Sequence, residues 1–183
     1  MIEDVLSQVP ESARSILDLG CGTGTLLSTM AKRRQVKMVG LDNSDSMVAL
    51  ARRKLVGTGA LVRKENLESK SDWGGQYDCV VSTNVLYTIS DPLSFLCRAK
   101  DSLVANGKLV VVTPGSSVDN GLILKAHCKD KRDDSFWQNP HQSAERERRL
   151  IREALGEGEL AESMWHVATI NSLILKTKAF HFF

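Results

Sequence analysis

The chain has 183 residues, 42% of them hydrophobic and 25% charged, with a formal net charge of +2. That composition supports one ordinary domain with a full core, and the charge is too small to argue for nucleic acid or a membrane surface as partner. Met1, Ile2, Glu3 and Asp4 lack the basic start of a signal peptide, and no apolar run approaches a membrane span, so a reduced, cytoplasmic location is expected.

Residues 2–9 read as a short amphipathic helix with Ile2, Val5, Leu6 and Val9 on one face, ended by Pro10. Residues 15–19 form the first strand. Glycines then stand at 20, 22 and 24, and a helix is predicted over 23–34. Alternate glycines remove the side chains that would keep a ligand off the backbone, and the helix start offers free N–H groups to an anion. Asp18, at the strand end, can accept from a cationic or hydroxylated ligand. Lys32, Arg33 and Arg34 are expected to complement the dipole at the helix end. The four cysteines, at 21, 79, 97 and 128, form no C-x-x-C pair and no metal-ligand spacing; Cys79 and Cys97 sit in apolar stretches and are expected to be buried thiols.

The run Asp18-Leu19-Gly20-Cys21-Gly22-Thr23-Gly24 resembles the first motif of class I S-adenosylmethionine-dependent methyltransferases, D-x-G-x-G-x-G. A dinucleotide fingerprint, G-x-G-x-x-G, would need glycine where Thr25 stands. A glycine-rich turn without a ligand is the third reading. The resemblance implies that Asp18, Gly20, Cys21, Gly22 and Gly24 bind S-adenosylmethionine.

A second strand is predicted over 36–41, closed by Asp42, with Ser44 as N-cap of a helix over 45–55. Asp42 lies 22 residues after Gly20, on the neighbouring strand of a strand-helix-strand unit, where an acid can accept from both ribose hydroxyls of a nucleoside. The segment from Val39 to Met47 is similar to the family's second motif, which implies that Asp42 takes the ribose while Asn43 and Met47 flank the adenine; Met47 is equally readable as core. A short third strand covers 60–63. After it, the resemblance places Asn66 where the family has an acid and Leu67 against the adenine, with Glu65 as the contact if the register moves by one. Residues 70–76 read as a polar loop.

The fourth strand covers 77–82, an apolar run of the kind buried on both faces. Thr83, Asn84, Val85, Leu86 and Tyr87 follow its C-terminal end, where open α/β sheets bind ligands. This segment resembles that of small-molecule methyltransferases. It is not Asn-Pro-Pro-Tyr, because Val85 and Leu86 replace both prolines, and that disfavours methylation of base amino groups. Thr83 and Asn84 are assigned to the cofactor, and Tyr87 to orienting the acceptor. Pro92 opens a helix after Asp91, running to about residue 103; Asn106 and Gly107 turn into a fifth strand over 108–113, ended by Pro114. The segment 103–110 resembles the family's L-K-P-G-G-x-L turn imperfectly.

Residues 116–160 are expected to form a variable insertion. It holds a helix around 121–129, a polar stretch with Phe136, Trp137 and His141, and a charged helix over 143–155 whose polar face is solvated rather than a nucleic-acid surface. Residues 164–170 and 173–180 read as strands of a hairpin. The expected fold is a single α/β domain over 1–183, with a Rossmann-like doubly wound sheet, mostly parallel, of seven strands ending in an antiparallel hairpin. The resemblance covers nearly the whole chain, strongly to residue 113 and only in architecture afterwards.

The expected function is methyl transfer to a small-molecule O or N acceptor. A hydroxyl acceptor needs a base within reach, for which His127 and His141 are candidates; His166 and His181, in the hairpin, are weaker ones. Only 17 residues precede Asp18, where this family often carries a longer covering segment. Three explanations follow: residues 116–160 serve as lid, the site is open to a larger acceptor or a partner chain, or the sequence is a piece of a longer one. Protein or RNA methylation, and a non-catalytic module of the same fold, are the other functions considered. No membrane association is expected, nucleic acid is not the expected partner, and an oligomer is compatible with the sequence.

Overall fold

The computed structural model describes residues 2–69, 72–114, 149, 165–171 and 174–176. The helices expected within the insertion, its use as a lid, His127, His141 and His181 lie outside them, as does the side chain of His166.

Five strands form a parallel sheet: β1 (Ser15–Leu19), β2 (Lys37–Asp42), β3 (Leu61–Lys64), β4 (Tyr77–Thr83) and β5 (Leu103–Pro114). Three helices connect them: α2 (Thr25–Ala31), α3 (Asp45–Lys54) and α4 (Pro92–Asp101); α1 (Ile2–Gln8) precedes β1. The backbone of β6 (Trp165–Asn171) lies antiparallel to β5, and that of β7 (Ile174–Lys176) antiparallel to β6. The order is β3-β2-β1-β4-β5-β6-β7. The order in which strands are added therefore reverses between β1 and β4, and the crevice at such a switch point is where this architecture holds ligands.

β1, β2, β4 and the second half of β5 read as apolar runs because both faces are covered, while edge strand β3 buries only Val62. Ile16, Met38, Val62, Cys79, Val81, Val110 and Val112 point to the layer of α1, α2 and α3. Leu17, Leu19, Val39, Leu41, Val80, Leu109 and Val111 point to the layer of α4. Helix starts follow the expected chemistry. Ser44 caps α3 by accepting from the Met47 N–H, and Asp91 caps α4 by accepting from the Ser94 N–H, with Pro92 at the first helical position.

Three local expectations are corrected. Helix α2 stops at Ala31, so the basic triplet does not lie in its last turn. Arg33 pairs with Glu3 of α1 instead, and Arg34 donates to the carbonyls of Pro10 at 2.8 Å and Glu11 at 2.7 Å. Strand β5 begins at Leu103 rather than 108. Asn106, at φ 65°, sits in an irregularity where the β4–β5 register shifts between Tyr77 and Cys79. The loop read as polar contains Trp73, which is only 2% exposed.

Candidate functional site

The site grows from the end of β1. The Gly20 and Cys21 N–H groups donate to the Leu41 carbonyl at 2.8 and 2.9 Å, which locks the glycine turn to the end of β2. Gly20 has φ +77°, and a Cβ there would sit 2.1 Å from Val85 Cγ2, so the segment after β4 packs directly on this turn. Gly22 has φ +52° and nothing within 4 Å of where its Cβ would be. Gly24, with φ 72°, stands immediately before α2. The turn thus has two glycines crowded by packing, Gly20 and Gly24, and one, Gly22, whose open side leaves backbone accessible.

Asp42 is the hinge between the turn and α3. Its Oδ2 accepts from the Gly22 N–H at 2.8 Å and its Oδ1 from the Ser44 N–H at 2.9 Å. A carboxylate has about four lone-pair sites, so two remain for ligand hydroxyls. Asp18 lies behind it, 1% exposed, and its Oδ1 is buried with no hydrogen-bond partner. Burial first, and the charge of Asp42 second, push the Asp18 carboxyl up to about 7. Such an orphaned acceptor beside an open glycine backbone fits a ligand that brings its own donor.

A cleft of about 270 Å³ opens at the C-terminal strand ends. It gathers Gly20, Asp42 and Asn43 from one side, Asn66, Leu67 and Glu68 from the turn after β3, and Thr83, Asn84, Val85, Thr88 and Ile89 from the segment after β4. Glu65, the alternative to Asn66, is not among the residues lining it. Asn66 Oδ1 accepts from the Glu68 N–H at 3.0 Å and keeps a second lone pair. Asn84 is held at φ 58°, outside the usual range of a non-glycine residue, while its N–H donates to the Val112 carbonyl at 2.8 Å.

Not every expected residue reaches the cleft. Cys21 turns inward: its Sγ lies 2.9 Å from the Cβ position of Gly40, and burial with the nearby Asp18 and Asp42 raises its thiol to about 12. Any part it plays is through its backbone. Met47, in the first turn of α3, is 38% exposed and does not line the cleft. Tyr87 belongs to the 3-10 turn Leu86–Thr88, but its side chain is outside the described residues. Sequence reasoning gave Val85 no role of its own within the segment expected to face the ligand, and missed Glu68, Thr88 and Ile89 as lining residues. Their only signal was proximity to motif residues, because irregular chain carries no period.

The Asp18 shift has a measurable sign. A carboxyl with a folded value near 7, against an ordinary value of 3.8, stabilises the fold fully below about pH 4, and that contribution is lost as pH rises through 7. Urea titrations between about pH 5 and about pH 8 should show the wild type losing stability relative to Asp18→Asn by a few kcal/mol. Parallel pH profiles for the two proteins would refute the buried, protonated state.

A methyltransferase-domain family model matches residues 2–165. The chain belongs to the class I S-adenosylmethionine-dependent methyltransferase family. Among its relatives is the ubiquinone biosynthesis O-methyltransferase of Azorhizobium caulinodans, 32% identical over 117 residues, which are 63% of this chain and 46% of that one. A chain solved in complex with the Trm112 methyltransferase activator, from Haloferax volcanii, superimposes with a TM-score of 0.67 at 21% identity, over 87% of this chain and 68% of the other. The plantazolicin methyltransferase BamL, solved with a triazolic desmethyl-plantazolicin analogue and S-adenosylhomocysteine, gives a TM-score of 0.62 at 15% identity, over 84% and 58%. These structural likenesses speak to the fold. The chain spans about half the length of the curated relatives it matches. The family's cofactor is S-adenosylmethionine, and the dinucleotide reading of the glycine turn falls away. Among the described residues no group of His, Cys, Asp and Glu could hold a metal ion, and no helix is long and apolar enough to cross a membrane.

Proposed function

We propose that this methyltransferase transfers a methyl group from S-adenosylmethionine to a small-molecule acceptor with an oxygen or nitrogen nucleophile. The observation that carries the reading is the cleft at the strand switch point, where Asp42, the Asn66-Leu67 pair and the Thr83-Asn84 segment converge beside the glycine turn. When bound, S-adenosylmethionine supplies a methyl group already activated on a sulfonium. The chain's task is then to bind, orient and exclude water, and such alignment can supply about 7–11 kcal/mol of the barrier. Asp42 accepts from the ribose hydroxyls, Asn43 and Leu67 bracket the base, and Asn66 accepts at its edge. The Gly20, Gly22 and Gly24 backbone faces the amino-acid end, with the Asp18 carboxyl behind it as acceptor. Thr83 and Asn84 lie toward the reacting end, and Tyr87 and residues 116–160, with His127 and His141, contribute the acceptor side.

Lysines and arginines cluster at 32–34, 52–54 and 63–64, and six of these eight side chains make contacts within the domain, which favours a small acceptor over RNA. Arg33 pairs with Glu3, Arg34 holds two α1–β1 loop carbonyls, and Arg52 donates to the Val62 carbonyl. Lys54 donates to Thr23 and Thr25, Arg63 to the Trp73 carbonyl, and Lys64 pairs with Asp45 at 2.6 Å. A tritiated-methyl assay against phenols, catechols, amines, total tRNA and a protein extract tests the assignment. Label in the small molecules, insensitive to salt, is expected. Salt-sensitive labelling of RNA alone, with none of the small acceptors modified, would overturn it.

A further inference from the structure

The wall of the cleft formed by Asn66, Leu67 and Glu68 is a turn in irregular chain, closed by the Ser69 N–H on the Asn66 carbonyl at 3.0 Å and rooted by the buried Leu67 side chain. Two further contacts tie it to α4 and to the segment before α4. Arg98, on α4, donates from Nη1 to the Leu67 carbonyl at 2.9 Å. Its guanidinium lies over the Trp73 ring, 4.1 Å from the centroid, and that ring is itself buried against Phe95 at 5.8 Å. The Trp73 carbonyl accepts in turn from Arg63 at 2.8 Å and from the Tyr77 hydroxyl at 3.1 Å. On the outer side, Glu68 Oε1 accepts from the Ser90 N–H at 2.6 Å, joining the same turn to the segment that forms the opposite wall.

We propose that Arg98 is a positioning residue for nucleobase recognition: stacked on Trp73 and bonded to the Leu67 carbonyl, it fixes the turn that meets the base of the cofactor. The inference rests on the reading of Asn66 and Leu67 as the adenine contacts. A planar guanidinium suits the task, since one face stacks on the indole while an in-plane N–H addresses the carbonyl; a lysine ammonium can reach the carbonyl but cannot stack as a plane. Removing the side chain leaves the Leu67 carbonyl without this donor and loosens the tie between the turn and α4. A shift of that size is felt by a ligand whose base edge must be met within hydrogen-bond distance.

The test is calorimetric titration of wild type, Arg98→Met and Arg98→Lys with S-adenosylhomocysteine and its inosine analogue, S-inosylhomocysteine, which lacks the exocyclic amino group. Wild type is expected to prefer the adenine ligand. Arg98→Met should lose about tenfold in affinity for the adenine ligand and clearly less for the inosine one, so that the preference narrows. Arg98→Lys should recover part of it. Equal losses for both ligands, or an unchanged preference, would overturn the proposal, because a merely structural role weakens both alike. If Arg98→Met does not fold, the preference measured in Arg98→Lys decides alone: a narrowed preference supports the proposal, and a preference equal to that of wild type refutes it. Wild type that binds neither ligand would instead refute the cofactor assignment on which the inference stands.

Discussion

Asp42→Ala is expected to lower affinity for S-adenosylhomocysteine by at least tenfold, and by about a hundredfold if both ribose contacts are lost. The carboxylate stands at the end of β2 on the lip of the cleft, and two backbone N–H groups already fix its plane, Gly22 at 2.8 Å and Ser44 at 2.9 Å. Its remaining acceptor sites meet a ligand at no reorganisation cost. Charge-assisted hydrogen bonds contribute about 1.5–3 kcal/mol each, and every 1.4 kcal/mol is about tenfold in affinity. The fold should survive, because both freed N–H groups belong to partly exposed turns that water can reach. Asp42→Asn, which keeps a carbonyl acceptor but loses the charge, should fall between. Calorimetry paired with a melting curve separates the two effects; unchanged affinity would remove the ribose role.

The glycine turn gives the second large effect, and it divides by position. Gly20→Ala is expected to destabilise the protein by about 2–4 kcal/mol, the sum of a left-handed backbone and an overlap with Val85. A Cβ at Gly20 lies 2.1 Å from Val85 Cγ2, whereas Val85 Cβ is 3.4 Å away, so Val85→Ala in the same chain should restore part of the loss. Gly22→Ala meets nothing within 4 Å and should cost only about 1 kcal/mol of stability. Yet its methyl group would project from the open side of the turn, and affinity for S-adenosylhomocysteine should drop about tenfold or more. Urea unfolding and calorimetry on the three variants check both halves. A Gly22→Ala protein that binds as wild type does would show that the open backbone faces no ligand.

What could be read from the residues was what local chemistry decides. The fourth strand is an apolar run, and such a run needs cover on both faces whatever surrounds it. Ser44 caps a helix because its side chain reaches the freed N–H group three residues on. The positions of Gly20 and Asp42 followed from a ligand-binding motif whose spacing is fixed by one strand-helix-strand unit. What escaped was decided by distant partners. Helix α2 ends early, with Arg34 drawn to the Pro10 and Glu11 carbonyls. Trp73 looked like part of a polar loop because its neighbours are polar, and its burial depends on Phe95 and Arg98, more than twenty residues on in α4. Met47 matched a motif by spacing, but the first turn of α3 leaves it partly in solvent. Thr88 and Ile89 line the cleft from chain without a repeat, so no period could mark them.

The central claim is that the cleft between the glycine turn, Asp42 and the Asn66-Leu67 turn is a site for S-adenosylmethionine. Calorimetric titration of the purified chain with S-adenosylmethionine, S-adenosylhomocysteine and NAD tests it most directly. Micromolar binding of the first two, lost in Asp42→Ala, and no binding of NAD is the predicted result. Absence of binding by both sulfur nucleosides, or binding that Asp42→Ala leaves intact, would contradict it.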